Sequence, residues 1–234
     1  MSDALSETAR ITAEYRRRAR EIPGERYSLA NPAALLMRQQ TERAVIGLLH
    51  RAGLFPLSGL RIADIGCGYG GWLIEFIQWR AAASDLAGID LMPERAGLAR
   101  ERIPSADIRC GDAASLPWPD ESFHLVTQFM LLMNIFDPAQ RRAVAREMLR
   151  VLKPGGAILW CDPRVSNPRN PELKPVRAAE IRALFPHCAI DLCSVVLAPP
   201  LSRMLAARAW PVASLLHSLP FLRTHYAALL RKPA

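Results

Sequence analysis

The ten residues IADIGCGYGG, at positions 62–71, decide the fold class. An apolar run leads into glycines at alternate positions, Gly66, Gly68 and Gly70, and a helix-like segment follows from Trp72. Glycine lets the chain turn sharply after a strand, and its missing side chain lets a ligand approach the backbone. The stretch therefore predicts a strand, a ligand-binding turn and a helix. Gly71 also completes the G-x-G-x-x-G spacing of dinucleotide-binding proteins, so that alternative stays open at this point.

An acidic residue follows this turn at an informative distance. Asp90 ends the apolar segment 86–90, about 20 residues past the last glycine. A carboxylate at this position can accept hydrogen bonds from both ribose hydroxyls of an adenosine-containing ligand. The alternative is structural, because Asp90 could instead cap the helix that is predicted to start at Pro93.

Strand-like and helix-like segments alternate through the middle of the chain. The predicted strands span residues 61–65, 85–90, 107–110, 123–128 and 157–161, and the predicted helices span 72–80, 93–102 and 139–152. This alternation is typical of a parallel sheet with helices on both faces. The predicted fold class is α/β: a Rossmann-like, doubly wound, mostly parallel seven-stranded sheet. Outside the middle, helices are predicted over 1–22, 32–52 and 177–184, a strand over 189–197, a long loop over 163–175 and a helix-rich tail.

Four motifs in this order resemble those of class I S-adenosylmethionine (SAM)-dependent methyltransferases. They span residues 60–162 at the spacing of that family and are DIGCGYG at 64–70, GID at 88–90, GDA at 111–113 and EMLRVLKPGG at 147–156. The resemblance implies SAM as cofactor and a biosynthetic transferase. It also implies a single domain over 1–234, with an N-terminal helical cap (1–58), a SAM-binding core (59–162) and a substrate lid that completes the sheet (163–234).

The same resemblance implies roles for individual residues in cofactor binding. Gly66, Gly68 and Gly70 line the methionine half of SAM, Asp64 organises the turn, and Asp90 holds the ribose. Leu91 or Met92 packs on one face of the adenine, Asp112 accepts from its amino group and Ala113 donates a backbone N–H. Gln128 and Phe129, at the end of the fourth strand, lie beside the sulfonium. Tyr27 and Tyr15 close over the cofactor from the N-terminal segment.

The acceptor side is less well specified by the sequence. Asp162 follows the fifth strand, where the carboxyl edge of a doubly wound sheet faces the ligand, and His225 is the histidine best placed for a general base. Each has a structural alternative: Asp162 could only tie down the following loop, and His225 could be a packed or solvated histidine of the tail. The predicted reaction is methylation of a hydroxyl of a sugar or secondary metabolite, with N- or C-methylation as the nearest alternative.

Composition narrows the remaining classes. The 234 residues carry a formal net charge of +8, but the arginines are dispersed and no nucleic-acid-binding motif accompanies them, so a nucleic-acid partner is not favoured. The five cysteines form no C-x-x-C pair, and neither a disulfide framework nor a metal site is predicted. The N-terminus has no apolar core of a signal peptide and no segment is apolar enough to span a membrane, so a cytoplasmic protein is predicted. An NAD-dependent oxidoreductase, an RNA methyltransferase and a SAM-binding module without activity remain rival hypotheses, and the oligomeric state is open.

Overall fold

A seven-stranded sheet organises the computed structural model of the protein, which describes residues 2–166 and 173–234, without the side chains of residues 2–6 and 27. The strands are β1 (Ile62–Ile65), β2 (Leu86–Asp90), β3 (Asp107–Cys110), β4 (Phe123–Phe129), β5 (Leu152–Pro163), β6 (Ala189–Leu197) and β7 (Arg223–Arg231). Their spatial order is β3-β2-β1-β4-β5-β7-β6. The first five strands run parallel, and β7 is antiparallel to both of its neighbours. The predicted Rossmann-like class is confirmed.

Eight helices accompany the sheet within the described residues. They are α1 (Ser2–Glu21), α2 (Pro32–Arg51), α3 (Gly71–Gln78), α4 (Pro93–Arg102), α5 (Pro138–Val151), α6 (Ala178–Leu184), α7 (Pro199–Leu205) and α8 (Trp210–His217). Short 3-10 turns lie at Gly24–Tyr27, Ala83–Asp85, Leu132–Asn134 and Pro220–Leu222. Among the described residues, none of the helices combines the length and apolar character needed to cross a membrane.

The sheet is covered on both faces, which explains why its central strands are mostly apolar. On one face Leu48 of α2 and Phe76 of α3 pack with strand residues in one buried cluster. On the other face Val144 and Met148 of α5 and Ile181 of α6 belong to a second buried cluster. Parallel strands buried on both faces are expected to be near-continuously apolar. The carboxyl ends of the parallel strands are thereby left as the open edge, where ligands of doubly wound folds bind.

The predicted helix-rich tail is partly wrong. Helices α7 and α8 are present, but the last segment, RTHYAALLR, is strand β7, which inserts between β5 and β6. Alanine and leucine favour helix locally, and the segment lacks the alternation of a half-exposed strand. It is a strand because Ala227, Ala228 and Leu230 are buried on both faces between two neighbouring strands, a long-range effect that overrides local propensity.

The antiparallel insertion shapes the open edge. Since β7 runs opposite to β5 and β6, its first residues lie where β5 and β6 end. Pro163 of β5 is opposite His225, and Leu197 of β6 is opposite Arg223. The chain between β6 and β7, which contains α7 and α8, therefore leaves from and returns to the same edge as the glycine-rich turn.

Candidate active site

The glycine-rich turn after β1 presents bare backbone at the open edge. Gly66, Gly68 and Gly70 have φ values of 79°, 54° and 77°, in the left-handed region that only glycine adopts freely. A Cβ added to Gly66 would lie 3.0 Å from the side chain of Leu131, whereas one added to Gly68 would meet no atom within 4 Å. Leu131 therefore packs closely against Gly66, whereas Gly68 faces open space that a ligand can fill.

Asp90 lies directly beside this turn. Its Oδ2 accepts a hydrogen bond from the backbone N–H of Gly68 at 2.9 Å, and its Oδ1 accepts from the N–H of Met92 at 2.9 Å. Burial raises the pKa of Asp90, while these N–H groups and the charge of Arg95 oppose that shift. A carboxylate has about four acceptor positions, so the two bonds leave capacity for a diol such as ribose.

A second buried carboxyl group, Asp64, lies at the end of β1. The hydroxyl of Thr127 donates to its Oδ1 at 2.7 Å, which joins β1 to β4. Burial raises the pKa of Asp64 to about 7, with the bond from Thr127 and the charge of Arg38 opposing. A buried carboxyl group with such a pKa is sensitive to any positive charge that a ligand brings.

An arginine that the sequence patterns did not indicate also lies at the turn. The guanidinium of Arg38, on α2, lies 3.6 Å from the ring centre of Trp72, and Trp72 stacks on Phe129 with 3.8 Å between ring centres. Arg38 also donates to the carbonyl oxygen of Gly71 at 3.3 Å and to Glu42 at 2.6 Å. It thus places a positive charge and two aromatic rings next to the first turn of α3. No local motif marks this residue, because the contact joins helices that are distant in the chain.

Asp112, after β3, accepts hydrogen bonds from three directions. Its oxygens accept from the N–H of Ala114 at 2.8 Å, from Nε2 of Gln140 at 3.2 and 3.3 Å, and from the hydroxyl of Thr8 at 3.4 Å. The predicted neighbours Leu91 and Ala113 are both half-buried. These residues form the end of the site farthest from β5, because β3 is the edge strand.

Helix α1 lies across this part of the edge. Glu7 accepts a hydrogen bond from the backbone N–H of Phe136, and Arg10 donates to the carbonyl oxygen of Asn134 at 2.5 Å. The guanidinium of Arg95 lies 4.0 Å from the ring centre of Tyr15, and burial raises the pKa of that phenol. A cleft of about 390 Å³ runs between α1 and the segment after β2, lined by Tyr15, Arg16, Ala19, Arg20, Tyr69, Met92, Glu94 and Arg95. Tyr15 therefore lies over the site, whereas the side chain of Tyr27 lies outside the described residues.

Gln128 and Asp162 bond to each other beneath the loop that follows β4. Nε2 of Gln128 donates to Oδ2 of Asp162 at 2.8 Å, and its Oε1 accepts from the N–H of Leu131 at 3.0 Å. Oδ1 of Asp162 accepts from the N–H of Met133 at 3.2 Å. Asp162 is fully buried, and burial raises its pKa well above the usual range. Both side chains are thus engaged in holding the loop, and a direct role for either at the cofactor or acceptor stays an untested prediction.

His225 begins the inner part of β7 and is only 8% exposed. Burial lowers the pKa of His225 to about 4, and its Nδ1 lies 3.0 Å from the hydroxyl oxygen of Thr224. His225 is opposite Pro163, and the next residue, Tyr226, is opposite Asp162. Because successive side chains of a strand alternate between faces, His225 and Asp162 lie on opposite faces of the sheet. The structure brings the two predicted catalytic residues to one edge but does not place them together.

The comparisons with known proteins agree with this geometry. Residues 62–156 match the family model described as a methyltransferase domain. A demethylmenaquinone methyltransferase of Listeria welshimeri is 35% identical over 133 residues, which cover 55% of this chain and 54% of the relative. The chain thus spans about half the length of the curated relatives it matches.

Two solved structures show the extent of the likeness in three dimensions. A SAM-dependent methyltransferase from Archaeoglobus fulgidus has a TM-score of 0.60 at 16% identity and covers 84% of this chain and 96% of its own. The cyclase SpnF has a TM-score of 0.60 at 23% identity and covers 82% of this chain and 81% of its own. At these identities the likeness concerns the fold alone, and a cyclase among the neighbours illustrates that this fold supports more than one chemistry.

Proposed function

We propose that the whole protein transfers a methyl group from SAM to a small-molecule acceptor, because residues 62–156 match the family model described as a methyltransferase domain. The observation that carries the proposal is the pairing of Asp90 with the Gly68 backbone at an open glycine-rich turn. The Asp90 carboxylate can accept hydrogen bonds from a ribose diol, and the bare backbone of the turn lies beside it. An adenosine-containing cofactor requires both features.

The residues present fit that cofactor. Asp90 would bind the ribose, while Asp112, Ala113 and Leu91 would surround the adenine. The backbone of Gly66, Gly68 and Gly70 would border the methionine part, and Arg38 is placed to pair with its carboxylate.

When bound, SAM supplies a methyl group already activated by a sulfonium, so the protein has to align the acceptor and take up a proton. The bonds from Gln128 and Met133 to Asp162 would keep the loop after β4 fixed beside the acceptor. Phe129, which stacks on Trp72 with one face, would present its other face toward a cationic ligand, a favourable surface for such a charge.

The acceptor that we propose is an aromatic hydroxyl compound, of the phenol or hydroquinone class. The edge between β4 and β7 combines the aromatic pair Trp72–Phe129 with a neutral, buried His225. An imidazole with a pKa of about 4 is a weak base, which suits an acidic phenolic hydroxyl better than an aliphatic sugar hydroxyl. The sugar acceptor predicted from the sequence is therefore less well supported than an aromatic one.

Methylation on carbon is the second candidate, and the curated relatives favour it. A hydroquinone that loses a hydroxyl proton carries more electron density on the oxygen and also on the ring carbon ortho to it. Since the similar proteins are named demethylmenaquinone methyltransferases, a ring carbon of such a compound is a reasonable target. The same base could remove the hydroxyl proton in either case. For methylation on carbon, the acceptor would present the ring carbon and not the oxygen to the methyl group, and the methylated ring would then lose its hydrogen while the hydroxyl is reprotonated.

A labelled-methyl assay tests the proposal and separates these acceptors. The purified protein is incubated with SAM carrying a radioactive methyl group and, in parallel, with naphthohydroquinones, simple phenols, sugars and RNA. We expect label in the hydroquinone or phenol products, with the position assigned by NMR. Label confined to sugars would overturn the proposed acceptor class. Label in RNA, together with a steep salt dependence of RNA binding, would support the rival based on the net charge of +8.

A further inference from the structure

The segment between β6 and β7 forms a small helical cap that consists of α7, α8 and the 3-10 turn Pro220–Leu222. Its inner side is tied to the fold, since Ala206 and Ala213 are buried with Ala33 and Leu36 of α2. Because β6 ends and β7 begins at the carboxyl edge, the cap lies at the same edge as His225. It is therefore next to the acceptor side of the site.

The outer side of the cap is unusually apolar for a surface. Leu215 is 69% exposed, Phe221 73% and Met204 62%, and Val212 and Leu219 are exposed as well. We call these five residues the apolar cap surface. Single exposed apolar residues are common, but five within 18 residues of chain mark an interaction site.

The segment of chain that carries this surface has charges of one sign only. Residues 192–234 contain no Asp or Glu, but four Arg and one Lys. Arg203 and Arg208 lie exposed on the cap itself, and in the part of the chain that the structure describes neither has a salt bridge. Exposed apolar side chains and arginines without a salt bridge, in a segment that contains no acid, complement a surface of anionic headgroups over hydrocarbon.

We propose that the apolar cap surface docks the protein on anionic lipid bilayers. Leu215, Phe221 and their neighbours would enter the boundary between headgroups and acyl chains, while Arg203 and Arg208 would pair with lipid phosphates. The docking itself does not depend on the reaction. The docked cap would hold the acceptor side of the site against the bilayer, where an acceptor that partitions into lipid is available. This benefit of docking rests on the proposed function.

Vesicle co-sedimentation of the full-length protein tests the docking. The vesicles contain phosphatidylcholine alone or phosphatidylcholine mixed with phosphatidylglycerol. We expect binding to the mixed vesicles that weakens as salt is added. Leu215→Ser should weaken this binding about tenfold, because it removes one buried apolar side chain. Leu98→Ser is the matched control, since Leu98 is 45% exposed on α4, away from the cap, and binding should be unchanged.

A second pair of variants tests the charge. Arg203→Gln with Arg208→Gln should reduce binding to the mixed vesicles about 30-fold, which is roughly 1 kcal/mol for each arginine converted to affinity. Arg100→Gln with Arg182→Gln removes the same charge from exposed positions on α4 and α6 and should have little effect. SAM binding by calorimetry should be equal in all variants, so a failure of the cofactor site would be recognised separately.

Three results would overturn the docking. In the first, the wild-type protein does not sediment with phosphatidylglycerol vesicles. In the second, Leu215→Ser and Leu98→Ser behave alike. In the third, the protein is a concentration-dependent dimer that Leu215→Ser converts to a monomer while vesicle binding is unaffected, which would assign the cap to a second copy of the chain.

Discussion

The two halves of the open edge are built in different ways. At the β1–β3 half, the ligand groups are backbone atoms and short acidic side chains fixed by local geometry, as in the Gly68–Asp90 bond of 2.9 Å. At the β4–β7 half, the groups come from strands that are far apart in the chain, such as Asp162 of β5 and His225 of β7. The first half suits a cofactor that stays the same when the acceptor changes. In the second half, the acceptor specificity can change through substitutions in α7, α8 or β7 that do not disturb the glycine-rich turn. Substitutions in the first half should therefore affect cofactor affinity, and substitutions in the second should affect turnover.

The largest effect is expected at Asp90. Asp90→Ala should weaken SAM binding by about 100-fold or more, because two hydrogen bonds to a charged acceptor are lost. Isothermal calorimetry measures the affinity, and a denaturation curve shows how far the loss of the Gly68 and Met92 bonds destabilises the fold. Asp85→Ala, just before the opposite end of the same strand, is the control and should bind SAM normally. If the two variants bind SAM with equal affinity, the assignment of Asp90 to the ribose is wrong.

The next largest effect is expected at His225, in the β4–β7 half. His225→Ala should lower kcat about 100-fold with a phenolic acceptor and leave SAM affinity unchanged. Because burial lowers the pKa of His225 to about 4, kcat/KM should show no titration of this group between pH 6 and 8. His50→Ala, on an exposed histidine at the end of α2, is the control. If His225→Ala keeps full turnover, His225 is not the general base and contributes only to packing.

Two glycines allow a matched test of the turn. Gly68 and Gly59 have φ values of 54° and 75°, and a Cβ at either position would meet no atom within 4 Å. Alanine at either site should therefore cost a similar ~1–2 kcal/mol of unfolding free energy. Only Gly68→Ala should also weaken SAM binding, by about tenfold, because the new methyl group occupies ligand space. If both variants bind SAM equally well, the open space at Gly68 is not part of the site.

The smallest effect is a pH dependence from Asp64. Its pKa is raised to about 7, above the usual value, so the folded protein holds a proton that the unfolded chain releases. The contribution of Asp64 to stability is therefore present at acid pH and falls as the pH rises through the window from about 4 to about 7. A cationic ligand favours the carboxylate, so SAM affinity should rise severalfold between pH 6 and 8. Asp64→Asn should flatten both curves, measured by denaturation and by calorimetry, and an unchanged pH profile would contradict the coupling.

Local signals were sufficient to predict the strand–turn–helix–strand unit of residues 62–90 but not the contacts between distant segments. The glycine spacing and the acid that ends β2 lie within one strand–turn–helix–strand unit, so residues 62–90 could be interpreted without knowing the tertiary structure. Strand β7 could not be predicted in this way, because Ala227 and Ala228 become strand residues only between β5 and β6. The Gln128–Asp162 bond likewise needs the register of β4 and β5, and Arg38 needs the packing of α2 on α3. These contacts are long-range and leave no pattern in the neighbouring sequence.

Calorimetric titration of the purified protein with SAM, S-adenosylhomocysteine and NAD tests the central claim most directly. A turn organised by Gly68 and Asp90 for a SAM-type cofactor predicts micromolar binding of the first two ligands and none of NAD. Binding of NAD alone would contradict that claim and would assign Gly71 to a dinucleotide-binding pattern instead.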